Sequence, residues 1–158
     1  MNNSKIENII EDVLSLRRMS RSSPASSFVV NEASKDLRQV GDEALPDIEH
    51  AIRTLDVPES VDHNGLHRKY PGLLNLWVAY FSISGKTQIE RATAFLRSLD
   101  GPVFTTAIQG IGVTWPNGRR SNGGIPAPLL EFLAEMAKQT TNDGSNAAKR
   151  LLARGGAK

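Results

Sequence analysis

Residues 31–48, Asn31-Glu32-Ala33-Ser34-Lys35-Asp36-Leu37-Arg38-Gln39-Val40-Gly41-Asp42-Glu43-Ala44-Leu45-Pro46-Asp47-Ile48, read as two helices and the turn between them. Ala33, Leu37 and Val40, with Val29 just upstream, fall three or four residues apart and draw one apolar stripe. Gly41 then stands where a helix commonly needs a left-handed terminating residue, and Asp42 offers an N-cap for the next helix. Ala44, Leu45, Ile48, Ala51, Ile52 and Leu55 form the second stripe, with Pro46 early enough to be tolerated in the first turn. Two helices joined this tightly are expected to fold back antiparallel.

Working outward from this stretch, the same periodicity recurs. Upstream, Ile6, Ile9, Ile10, Val13 and Leu14 share one helical face, and Ser4-Lys5-Ile6-Glu7 matches a capping box, which predicts an N-terminal helix within residues 1–19. The Ser-rich segment 20–27, with Pro24 at its middle, reads as a linker, so the first helix either docks on the body or contacts a partner. Downstream, Asp56 to Gly65 is turn-rich. Pro71 opens a helix through Leu73, Leu74, Leu76, Trp77, Val78, Tyr80 and Phe81 that is apolar on nearly every side, hence central, and Gly85 is expected to end it. Thr87-Gln88-Ile89-Glu90 supplies another capping box, for a helix with Ile89, Ala92, Phe95, Leu96 and Leu99. Val103 to Val113 suits a helix by repetition, although its Gly and β-branched content would also suit a short strand. Beyond a Gly-rich connector, Pro126 or Pro128 opens a helix with Leu129, Leu130, Phe132, Leu133 and Met136, followed by a smaller one with Ala147, Ala148, Leu151 and Leu152.

Sliding the chain on itself by about 59 positions lays Ala33 on Ala92, Leu37 on Leu96, Val40 on Leu99, Leu45 on Phe104 and Ile52 on Ile111. With its small-residue turn and Ala44-Leu45-Pro46 opening, the stretch 28–56 resembles a HEAT or armadillo-like repeat, as 88–113 does more loosely. That resemblance implies an all-α chain of stacked antiparallel helix pairs, either a short α-solenoid or an irregular helical bundle. It also implies a binding surface for protein or nucleic acid more often than an enzyme.

Composition fits one domain over 1–158, with residues 28–158 as the helix-pair body. The chain has no cysteine, which removes disulfides, thiolate metal ligands and cysteine nucleophiles and suits a reducing compartment. No apolar run approaches membrane-span length and the start carries no secretory h-region, so a cytoplasmic protein without membrane contact is expected. Charge is divided: residues 1–62 hold 7 Lys/Arg against 12 Asp/Glu, and 63–158 hold 12 against 5.

Motifs that would carry chemistry are incomplete. Gly85-Lys86-Thr87 matches the end of a phosphate-binding loop, but Tyr80 occupies the first glycine's place and helix precedes it where a strand is required. His63 and His67 are four apart beside Asp62, yet Gly65 lies between them and Asp62-His63-Asn64-Gly65 looks like a turn, so no metal is expected. No serine lies in a Gly-x-Ser-x-Gly elbow, and the carboxylate pairs Glu11-Asp12 and Asp42-Glu43 are adjacent, so their members do not face each other. Core packing is the expected role of Trp77 and Trp115. No catalytic residue and no cofactor is expected.

The basic residues remain. Asn117-Gly118-Arg119-Arg120-Ser121-Asn122-Gly123-Gly124 joins backbone donors to two guanidinium groups, a pattern suited to an anion as well as to an ordinary connector. His67-Arg68-Lys69 and Lys149-Arg150 add further basic groups. The expected function is a non-catalytic protein-interaction module (adaptor, scaffold or inhibitor/immunity type) meeting an acidic protein partner through Arg119, Arg120, His67, Arg68, Lys69, Lys149 and Arg150. The alternatives are a nucleic-acid-binding helical-repeat protein using the same residues, and an enzyme whose site sequence does not reveal.

Overall fold

The computed structural model describes residues 3–15, 32–116, 124–139 and 143–153, and among them there is helix and no strand. The helices are α1 (Asn3–Leu14), α2 (Glu32–Val40), α3 (Leu45–Arg53), α4 (His63–Lys69), α5 (Leu73–Thr87), α6 (Ile89–Arg97), α7 (Gly101–Thr114), α8 (Ala127–Ala137) and α9 (Asp143–Ala153), with a 3-10 turn at Gly41–Ala44. The expected 20–27 linker and Val29 lie outside the described residues. Residues 103–113 are helical, because the β-branched side chains of Ile108 and Ile111 are buried among neighbouring helices and packing overrides local propensity.

α5 lies at the centre, against α1, α2, α3, α6 and α7, which is why it is apolar on nearly every side. The first helix docks on this body. Ile6, Ile9, Ile10 and Val13 are buried, and the Leu14 carbonyl accepts from the Gly72 amide at 2.8 Å. Any side chain at Gly72 would collide with the Val13 carbonyl, so this glycine lets the end of α1 rest directly on the start of α5.

Gly85 does not end α5, which runs on to Thr87. Glycine is needed there because a Cβ would come within 2.8 Å of the Trp115 ring. The same logic holds at Gly110 in α7, where a Cβ would lie 2.6 Å from Trp77 Cβ. These contacts, with the Trp77 Nε1 donation to Thr106 Oγ1 at 2.9 Å, match the middle of α5 to the middle of α7 and the end of α5 to the residue just after α7. The two helices therefore run parallel, and α6 must return between them.

A second row forms in the same way. Glu49 meets Arg91, and Arg53 lies over the Phe95 ring, so α3 and α6 also run parallel. Asp42 and Thr87, at the ends of α2 and α5, lie side by side. The successive pairs are thus α2 with α3 and α5 with α6, and sequence supports this register. Laying Leu37 on Phe81, Gly41 on Gly85, Leu45 on Ile89, Ile48 on Ala92, Ile52 on Leu96 and Leu55 on Leu99, a shift of about 44 positions, matches buried or half-buried positions throughout the helices. The 59-position shift instead puts α6 in the row of α2, whereas it lies beside α3. α2 and α3 touch each other little: Gly41, at φ 78, turns the chain into four 3-10 residues, and both helices rest chiefly on α1 and α5. Direct pairs are α5 with α6 and α8 with α9.

α4 is a helix that sequence reading treated as a turn. Asp62 caps it, Oδ1 accepting from the Gly65 amide at 2.7 Å, and its buried Leu66 seats it on α7.

Candidate functional site

α7 contacts both α4 and α9, which brings two of the basic groups, far apart in sequence, to one helix. From α4, His67 donates through Nε2 to Gln109 Oε1 at 2.6 Å. From α9, Arg150 lines a groove of about 220 Å3 with Ala147 and Leu151, opposite Gln109, Gly112 and Val113 of α7. The half-buried amide of Gln109 thus bonds an imidazole and shares a groove with a guanidinium. Lys149 and Arg150 are exposed, and among the described residues neither is ion-paired. Such a groove, with a guanidinium in its lining and amide and apolar groups on its walls, suits a carboxylate-bearing segment.

The other basic residues of α4 are directed elsewhere. Lys69 pairs with Asp56 and lies over the Tyr70 ring, while Arg68 lies close enough to Asp62 for its charge, after the Gly65 amide bond, to help hold that carboxyl below its ordinary range. The structure therefore brings His67 and Arg150 to Gln109, with Lys149 exposed beside Arg150 on α9, and directs Arg68 and Lys69 elsewhere. Arg119 and Arg120 lie outside the described residues. Sequence reading missed Gln109. Its signal was a lone amide within the apolar run Thr106-Ala107-Ile108-Gln109-Gly110-Ile111.

A second polar cluster, also missed, joins α3, α5 and α6. Glu49, 7% exposed, accepts from Tyr80 at 2.6 Å and from both Nε and Nη2 of Arg91 at 2.9 Å. Burial opposes its ionisation, but the bonds from Arg91 and Tyr80 and the charges of Arg91 and Arg53 outweigh that and hold the carboxyl below its ordinary value. Burial and the Glu49 bond push the Tyr80 hydroxyl well above its usual range. A carboxylate already accepting three bonds is a fixed anion, not a proton acceptor at neutral pH. The cluster ties three helices together.

Gly85-Lys86-Thr87 forms the last turn of α5, so it is helix and not a phosphate-binding loop. His63 lies at the first turn of α4 and His67 one turn on. Among the described residues no three His, Asp or Glu side chains are grouped to hold a metal ion, and no helix is long and apolar enough to cross a membrane. Compared with protein-family models, curated proteins and solved structures, the chain shows no significant match.

Proposed function

We propose that this chain is a non-catalytic interaction module of HEAT or armadillo-like character whose α7 groove receives an acidic segment of a protein partner. One observation carries the reading: Gln109 of α7 bonds His67 of α4 and shares a groove with Arg150 of α9, and among the described residues Arg150 and Lys149 have no ion-pair partner. The parallel rows and the shift of about 44 positions agree with a repeat period of roughly 40–47 in such proteins. A rigid helical array holds these side chains at fixed spacing, which reduces the ordering cost of binding.

The test titrates a fluorescein-labelled peptide of alternating Leu and Glu, its Leu/Lys counterpart and a DNA duplex of about 20 base pairs over a salt series. Selective binding of the acidic peptide, weakened about tenfold or more by Lys149→Glu with Arg150→Glu, supports the reading. Tighter binding of any duplex, falling steeply with ionic strength, replaces it with the nucleic-acid alternative. Arg119→Ala with Arg120→Ala is expected to weaken the acidic peptide while leaving thermal stability nearly unchanged; unaltered affinity removes that loop from the site.

A further inference from the structure

The opposite end of α7 presents carboxylates where the first groove presents a guanidinium. The first turns of α4, α7 and α9 border a cavity of about 560 Å3, walled by Val61, Leu99, Phe104 and Met136 with Asp62 and Asp100 among its lining. That volume falls within the roughly 300–1,000 Å3 of ligand-binding clefts. A second cavity of about 360 Å3 shares Leu99 and Asp100 with it and continues over Val103 to Leu55 and Val57, beyond the end of α3; Arg53, also on its wall, is taken up by Ser98 Oγ and the Phe95 ring. Together they make an elongated, largely apolar groove crossing the Leu99–Asp100 ridge.

Helix capping accounts for Asp62, whose Oδ1 is bonded to the Gly65 amide. It does not account for Asp100. This residue occupies the N-cap place of α7 in an extended conformation, yet its side chain makes no capping bond and is exposed. Next to it Gly101, at φ 61, has nothing within 4 Å of where a Cβ would lie, so the approach to Asp100 is open. An unspent carboxylate midway between two apolar hollows repels anions and complements a cation whose neighbours are apolar. Leu55, Val57, Leu99, Val103 and Met136 are only half-buried, and covering them would remove apolar surface from water.

We propose that this groove docks a partner's peptide segment in which an arginine or lysine is flanked by apolar residues. The cation sits at Asp100, within reach of Asp62, and the flanking side chains enter the two hollows. The groove is distinct from the Arg150 groove, the midpoints of their α7 walls, residues 101–105 and 108–113, lying roughly 11 Å apart, and it selects the opposite charge. The module is then a bridge between an acidic and a basic partner, and either surface can fail its test without the other.

The test uses the full chain, isotope-labelled for NMR, titrated with acetyl-Leu-Leu-Arg-Leu-Leu-amide, its Arg-to-Glu counterpart and free arginine methyl ester. The expected result is shifts confined to residues 55–62, 99–105, 136–139 and 143–145, with the Glu peptide and the free ester each at least about tenfold weaker. Asp100→Asn, which removes no fold-holding bond, is expected to weaken the Arg peptide about tenfold; Asp62→Asn, which keeps a good N-cap, is expected to weaken it less. Shifts elsewhere, equal binding of the Glu peptide, no binding, or an unaltered affinity in Asp100→Asn overturns the proposal. Equal binding of the free ester overturns it in favour of a small-amine site.

Discussion

Two polar clusters lie on neighbouring seams of the bundle, and they are built in opposite ways. Between α3, α5 and α6, Glu49 is buried and accepts one bond from Tyr80 and two from Arg91. Between α4, α7 and α9, Gln109 is half-buried, His67 is its partner, and Arg150 and Lys149 keep their charge facing solvent. The first arrangement offsets the cost of burying a charge and leaves nothing for a ligand. The second leaves guanidinium and ammonium donors uncommitted, so their best partner is outside the chain. The contrast separates a polar group that holds the fold from one that is held by it.

The wall between the two seams is the α5–α7 contact, and removing it has the largest expected effect. Trp77 is fully buried against Tyr80, Phe81 and Phe95 and bonds to Thr106. Trp77→Ala should cost about 3–5 kcal/mol in chemical denaturation. A near-neutral result would mean that the two seams are independent bodies. Gly110→Ala, which forces a Cβ toward Trp77, should cost about 1–3 kcal/mol at the same wall.

Next comes the sealed cluster. Glu49→Ala strands the buried Tyr80 hydroxyl, while Arg91, 42% exposed, can still reach water, so a loss of about 1–3 kcal/mol is expected. The pH dependence has a definite sign. Glu49 has a folded pKa depressed from 4.5, so its contribution is present above that pH and is lost as pH falls through the folded value. Tyr80 is displaced upward from 10.0, so its contribution holds below pH 10.0 and is lost as pH rises beyond it. Denaturation series at acid pH should show Glu49→Gln with a shallower decline than the parent. An identical decline would remove Glu49 from the acid limb.

The helices were legible in sequence because three- and four-residue apolar spacing survives wherever one face is buried, as in α2, α3, α6 and α8. The phase of the repeat was not. α5 is apolar all round and α7 nearly so, and such helices match any stripe at several shifts, so both the 59- and the 44-position alignments look acceptable until Glu49–Arg91 and Trp77–Thr106 fix the neighbours. α4 escaped because a seven-residue helix containing Gly65 has too little periodicity to stand out from a turn. Of the groove, His67 and Arg150 were readable as basic residues, but not their meeting at Gln109, since the connecting helix is only a wall of apolar residues in sequence. Asp62 and Asp100 each stand just ahead of a helix, and only the missing bond at Asp100 separates them, which sequence does not show.

The smallest expected effect on stability is the most decisive for function. Arg150 is exposed and, among the described residues, has no ion-pair partner, so Arg150→Ala should change unfolding free energy by no more than about 0.5 kcal/mol. Gln109→Ala removes the His67 bond and should cost about 1 kcal/mol. Affinity for the acidic peptide should fall in both, more in Arg150→Ala, and the residual affinity of that variant should depend less on salt because one charge contact is gone. Glu49→Gln provides the reverse: it alters the acid limb of stability and leaves peptide affinity at neutral pH unchanged. If Arg150→Ala instead destabilises the fold and spares binding, its charge serves the C-terminal part of α9 rather than a partner, and the distinction between the two seams disappears.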